Sequence, residues 1–238
     1  MLDSLKLENF KSARTLEVPL KPLTVLSGLN GSGKSTVLQA IGLVRQSLEV
    51  SDSTRLQSLC LRGSLVQLGL VEDVVSDQAS EGYIAISFGV NGAVTRLHAQ
   101  AETGNDILPI QHENLLPDLG EHFLRNCPFQ FLQADRLTPQ THYDRSDSLS
   151  RGLGFLGAHG QFTPDFLAEH GDRMEISAKR RCPTTADGLP EKLMARIVGT
   201  PKLYDQMSGW LQQLSPGVRI EAVRLSRTDP WTQLLQPT

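Results

Sequence analysis

Cysteine is scarce in this chain. Cys60, Cys127 and Cys182 are its only three, and they stand far apart. That spacing excludes a disulfide framework and a cysteine-based metal site, which need paired or clustered thiols. Reduced, mostly buried thiols in a cytoplasmic protein are the expectation. No charge sign dominates either: 23 basic residues face 26 acidic ones, for a net charge of −3. Such a balance does not support nucleic-acid binding by the chain as a whole. No stretch approaches the ~18 consecutive apolar residues of a membrane span. The opening MLDSLKLENF lacks the basic-then-apolar order of a secretory signal. The six histidines (His98, His112, His122, His142, His159 and His170) show no H-x-x-x-H or H-E-x-x-H spacing, so no histidine metal cluster is expected. Repeats and low-complexity tracts are absent. Hydrophobic residues make up 39% of the 238 positions, enough for a buried core.

One segment carries specific chemistry. Gly28-Leu29-Asn30-Gly31-Ser32-Gly33-Lys34-Ser35 fits G-x-x-x-x-G-K-[ST] at every fixed position. Its flanks fit too. Leu23 to Ser27 is a short apolar run that predicts a buried strand, and Val37, Leu38, Ile41, Val44 and Leu48 recur at helical spacing. Glycines let consecutive N–H groups turn inward as an anion-binding concavity. The helix that follows adds unpaired N–H groups and its positive end. Lys34 is expected on the β- and γ-phosphates, and the Ser35 hydroxyl on Mg²⁺. The expected nucleotide-binding run extends from Gly28 through Thr36, with ATP and Mg²⁺ as cofactors.

Two alternating segments precede the loop. Leu5 and Leu7, then Leu16, Val18 and Leu20, predict an antiparallel pair around a turn at NFKSAR. Tyr83 to Gln100 predicts a hairpin over Asn91-Gly92. Thr103 to Pro117 reads as loop, FQFLQ (129–133) as a strand, and Asp144 to Gly160 as mobile. Thr200-Pro201 predicts a helix start, and VRIEAVRLS (218–226) a strand. The basic run around Arg173, Lys179, Arg180 and Arg181 reads as a solvated face rather than a phosphate or DNA contact.

With these motifs in place, LENFKSARTLEVPLKPLTVLSGLNGSGKSTVLQAI resembles the N-terminal lobe of SMC-like, ABC-type AAA ATPases. Within them it is similar to bacterial ATPases related to RecF and to the overcoming-lysogenization-defect proteins. The resemblance implies an α/β P-loop NTPase. Its mixed sheet would carry an N-terminal antiparallel β subdomain. It also places Lys11 and Ser12, in the first turn, near the base and α-phosphate. The chain is expected to form one incomplete domain, with residues 1–100 as phosphate loop and β lobe and 101–238 as insert and helical/β segment.

The family completes its site with a glutamine loop, a signature helix and an apolar strand ending in Asp-Glu (Walker B). Here FQFLQADR ends in Asp135, but Arg136 stands where Glu belongs. LSRGL (149–153) resembles the signature without such a strand behind it. Gln67 is the glutamine-loop candidate, with Glu72 and Asp73 as possible Mg²⁺ carboxylates. The chain stops at Thr238, about where the missing half should begin. The expectation is therefore ATP binding as a nucleotide switch, with hydrolysis requiring a C-terminal half or a partner. The expected partners are a second copy, as a homodimer that does not supply the missing strand, or a complementary chain carrying Walker B and signature motifs; an effector protein is the further partner expected. A small-molecule P-loop kinase and a non-hydrolytic assembly module are the alternatives.

Overall fold

A computed structural model describes residues 1–51, 55–111, 119–135, 137–138, 140, 143–152, 154–183 and 200–215. The chain divides into two compact units, Met1–Pro128 and Phe129–Thr238.

The first unit is a six-stranded sheet with two helices. Its strands are β1 (Leu2–Phe10), β2 (Ala13–Pro19), β3 (Ser58–Cys60), β4 (Tyr83–Val90), β5 (Ala93–Gln100) and β6 (Ile107–Gln111). Their order is β2-β1-β4-β5-β6-β3, and every pairing among the described residues is antiparallel. The expected mixed sheet is therefore not seen there. The hairpin over Asn91-Gly92 forms as its sequence demands. Both turn residues have positive φ, 52° and 83°, which suits Asn and Gly.

Alternation sorts the two faces. Leu7 pairs with Leu16 and Ile86, and Ile86 pairs with Leu97, so one row of apolar side chains crosses four strands. Onto this face packs α1 (Lys34–Val50), through Ala40, Leu43, Val44 and Leu48, all essentially buried. The opposite face carries Glu17, Lys6, Ser87 and Arg96 in register. Glu8 lies between two cations there, 2.8 Å from Lys6 Nζ and 2.8 Å from Arg96 Nη2. The Lys6 hydrogen bond, helped by the Arg96 charge and opposed by burial, holds the Glu8 carboxyl below its ordinary range. A lowered carboxylate pKa stabilises above the unfolded pKa, and that stability is lost as pH falls through the folded one. Glu8→Gln should therefore cost under about 1 kcal/mol at neutral pH, because solvent screens the half-exposed partners. The gap between the two proteins should close in acid. Urea melts at stepped pH check this, and a gap constant through the acid range would contradict it.

The helices of this unit cap one another. Arg125, in α2 (Leu119–Asn126), donates to the carbonyls of Leu48 (2.7 Å) and Ser51 (3.0 Å) at the end of α1. Arg45 of α1 returns the contact to the carbonyls of Leu124 and Arg125 at the end of α2. Guanidinium groups on the last carbonyls satisfy orphan acceptors at the negative helix end.

Three expectations are corrected here. Leu23 to Ser27 is not a buried strand: it pairs with nothing among the described residues, and Leu23 and Val25 are 81% and 77% exposed. Apolar composition alone cannot bury a segment when no strand lies alongside it. The expected loop Thr103 to Pro117 contains β6, whose Leu108 and Ile110 face the core while Ile107, Pro109 and Gln111 face out. Pro109 masked that alternation. In the second unit, FQFLQ forms no strand. Gln133 N–H donates to the Ala158 carbonyl (2.8 Å), and Gln130 Oε1 accepts from Leu156 N–H (3.1 Å). This segment is tied down largely by side chains rather than by a ladder.

The second unit contains α3 (Thr163–His170) and α4 (Leu203–Leu214). The latter starts three residues after Thr200, whose hydroxyl donates to Asp205 Oδ2 in the first turn instead of capping the helix. A short π-helix, Asp147–Gly152, covers most of LSRGL. VRIEAVRLS lies outside the described residues.

Candidate phosphate-binding site

The site is the loop from Gly28 to Gly33 and the first turn of α1. Gly33 is the residue preceding the helix and is left-handed, φ 84° and ψ 8°, and Gly31 has φ 80°. L side chains rarely adopt these conformations, so glycine is required at both places. No side chain caps α1, and its first turn holds no acidic residue. Its leading N–H groups are thus left for an anion.

Lys34 reaches back over the loop. Its Nζ donates to the carbonyls of Gly28 (2.8 Å) and Leu29 (2.6 Å), and Ser32 N–H donates to Leu29 O (3.2 Å). These bonds fix the ammonium at the loop mouth, and its third proton is left for a phosphate oxygen. Leu29, Asn30, Gly31, Ser32 and Ser35 are exposed, and Thr36 is buried. Ser35 Oγ makes no hydrogen bond within the described residues, so its lone pairs are free for a cation.

The β1–β2 turn lies against this loop. A Cβ on Gly33 would sit 3.4 Å from Ser12 Oγ and 4.0 Å from Thr36 Oγ1. Lys11 holds a positive φ of 52°, and its N–H donates to the Val74 carbonyl (2.7 Å). Ser76 N–H adds a bond to Asn9 O (3.0 Å). Residues 74–76 therefore strap the turn, and the turn brings Ser12 to the helix N-terminus.

The other candidates are used locally. Gln67 Nε2 donates to Gly63 O (2.6 Å), Asp73 Oδ2 accepts from Leu70 N–H (2.9 Å), and Glu72 Oε1 accepts from Gly104 N–H (2.6 Å). Gln67 and Asp73 close turns of their own segment, and Glu72 ties it to the β5–β6 connection. In the second unit, Asp135 has a side chain 77% exposed, and its carbonyl lies 2.9 Å from His159 Nδ1. Arg136 lies outside the described residues. Among the described residues, no group of three His, Cys, Asp or Glu side chains could hold a metal. Burial pushes the Cys60 and Cys182 thiols up, which makes both poor nucleophiles.

Sequence reading missed Gln46. It is 2% exposed on α1. Its Nε2 donates to Cys60 O (2.7 Å), and its Oε1 accepts from Leu65 N–H (3.2 Å) and Val66 N–H (2.9 Å). The neighbouring Ser47 Oγ accepts from Cys60 N–H (2.8 Å). The available signal was a polar pair inside the apolar stripe of a helix.

Comparison with known proteins gives partial matches. Over 44 residues, 18% of the chain, the sequence is 48% identical to an OLD nuclease of Thermus scotoductus (strain ATCC 700910 / SA-01). That stretch is only 8% of the relative's length. A solved structure of the recombination mediator protein RecF with ATP aligns with 94% of this chain and 63% of its own, at 14% identity and a TM-score of 0.37. The chain thus spans less than two thirds of either protein. No helix among the described residues is long and apolar enough to cross a membrane. Residues 1–85 match the AAA ATPase domain family, and the resemblance to AAA-type ATPases is shown for that N-terminal segment.

Proposed function

We propose that this chain binds ATP·Mg²⁺ through Gly28 to Thr36 and acts as the nucleotide-binding part of an ABC/SMC-like switch. The observation that carries the reading is the preformed loop, with Lys34 Nζ bound to the Gly28 and Leu29 carbonyls above an uncapped helix N-terminus. Lys11 and Ser12 line the α-phosphate side, supported by the contact of Ser12 with the Gly33 position. Bound Mg²⁺ supplies charge neutralisation at the phosphates. Ser35 is its protein ligand, and the phosphates and water supply the rest, as is usual for an ion that keeps several waters.

Hydrolysis belongs to a complementary half, on a partner chain or a separate segment. The exposure of Leu23 and Val25 immediately before the loop supports this. Unpaired backbone with apolar side chains is a template for strand addition. Three free cysteines fit a cytoplasmic protein.

A nucleotide series tests the reading. Affinity should fall from ATP to ADP to AMP, with adenosine failing to bind, because the loop holds phosphates. Equal binding of adenosine would overturn it. Phosphate transfer to an added small-molecule acceptor would favour the kinase alternative. For the metal, Ser35→Ala should erase most of the affinity that Mg²⁺ adds to ATP, while metal-free binding changes little. Titrations with and without Mg²⁺ decide this, and an unchanged Mg²⁺ effect would place the ion elsewhere.

A further inference from the structure

The second unit carries charge that its own fold leaves uncompensated. Lys179, Arg180 and Arg181 are consecutive and exposed, on and just after the 3₁₀ turn Ala178–Arg180. Among the described residues, none of the three forms an ion pair with a carboxylate. Nearby, Arg173 pairs with Glu169 at 2.8 Å, and Glu175 and Lys202 meet only through a backbone β-bridge. A solvated basic run would be expected to move freely. This one is anchored to α4 at three points. Trp210 Nε1 donates to the Arg180 carbonyl (3.3 Å), Gln206 Oε1 accepts from Cys182 N–H (2.8 Å), and Gln213 Nε2 donates to Cys182 Sγ (2.8 Å).

Trp210 is the second feature. An indole normally seeks burial, yet this residue is 41% exposed while its N–H is held by the backbone of the basic turn. A fixed aromatic surface therefore stands beside three unpaired cations. Phosphates spaced along a strand match the cations, and an unstacked base matches the indole. A simple polyanion would use the charges and leave the indole idle. A duplex would offer phosphates but no free base face.

We propose that Lys179, Arg180, Arg181 and Trp210 form a binding patch for single-stranded nucleic acid. The cations hold the backbone and the indole stacks on one base. The patch makes no use of the phosphate loop, so it stands or falls separately from ATP binding.

The test is anisotropy of a labelled oligothymidylate of about 20 nucleotides, added to the full chain. Log affinity should fall with log salt at a slope of about −2, from three phosphates at about 0.7 each. Trp210→Ala should weaken binding roughly tenfold or more. Trp210→Phe should stay near wild type, because it keeps a stacking ring while losing the bond to the Arg180 carbonyl. The triple variant Lys179→Ala, Arg180→Ala, Arg181→Ala should flatten the salt slope, with circular dichroism confirming its fold. Heparin, a polyanion without bases, should bind wild type and Trp210→Ala alike. Absence of oligonucleotide binding at low salt would overturn the proposal. So would a Trp210→Phe as weak as Trp210→Ala, since the indole would then serve only to hold the turn.

Discussion

At saturating ATP and Mg²⁺, the purified chain should release phosphate no faster than its Lys34→Ala variant. Transfer of a phosphoryl group to water needs two things: neutralised phosphate oxygens and a positioned nucleophile. In the proposed reading, Lys34, the α1 amides and Mg²⁺ would provide the first. For the second, Glu72 and Asp73 are bonded to the Gly104 and Leu70 amides, and Glu8 is paired with Lys6 and Arg96. Asp135 belongs to the other compact unit and is largely open to solvent. A second copy brings the same residues and repairs nothing. Adding a chain that carries an apolar Asp-Glu strand should raise turnover about 10²–10⁴-fold, the usual worth of a positioned acid or base. Robust turnover by this chain alone, abolished by Lys34→Ala, would contradict the account and direct attention to Asp135.

Gln46→Ala should cost about 3–5 kcal/mol of folding stability, a large part of the 5–15 kcal/mol typical of a domain. The side chain makes three hydrogen bonds to backbone groups of Cys60, Leu65 and Val66. Leu65 and Val66 are 1% and 4% exposed. Each buried backbone group left without a partner costs about 1–3 kcal/mol, and water entering the gap recovers part of that. Gly63 leaves no slack, because a Cβ there would come within 2.6 Å of the Gln46 side chain. Gln46→Leu separates volume from hydrogen bonding: it fills the space but restores no bond. Urea unfolding should rank wild type well above both variants, with amide exchange at Leu65 and Val66 accelerated in each. A Gln46→Leu protein as stable as wild type would contradict the assignment of the loss to hydrogen bonds.

Local signals in the sequence were good guides where the structure is also local. The first hairpin, the Asn91-Gly92 turn and the glycine loop each follow from residues adjacent in the chain. The glycine conformations of the loop and the helix after it were legible, because positive φ at Gly31 and Gly33 demands glycine; the strand expected before the loop and the bonds of Lys34 to two carbonyls were not. Segments that depend on distant neighbours were read less well. The run from Leu23 to Ser27 has the composition of a buried strand but has no strand beside it. Residues 107–111 alternate correctly, yet Pro109 conceals the pattern, and only pairing with β3 and β5 brings it out. Gln46 was missed because its partners lie 14 to 20 residues away in the chain. The anchoring of Arg180 to Trp210 spans 30 residues and was equally invisible. Composition reduced that basic run to a solvated face.

The central claim is that this loop holds the phosphates of ATP through Lys34. Calorimetric titration of ATP·Mg²⁺ into wild type and Lys34→Ala tests it most directly. Removing one charge-assisted contact should weaken binding by about 1.5–3 kcal/mol, or roughly 10- to 150-fold. Equal affinities for the two proteins would contradict it.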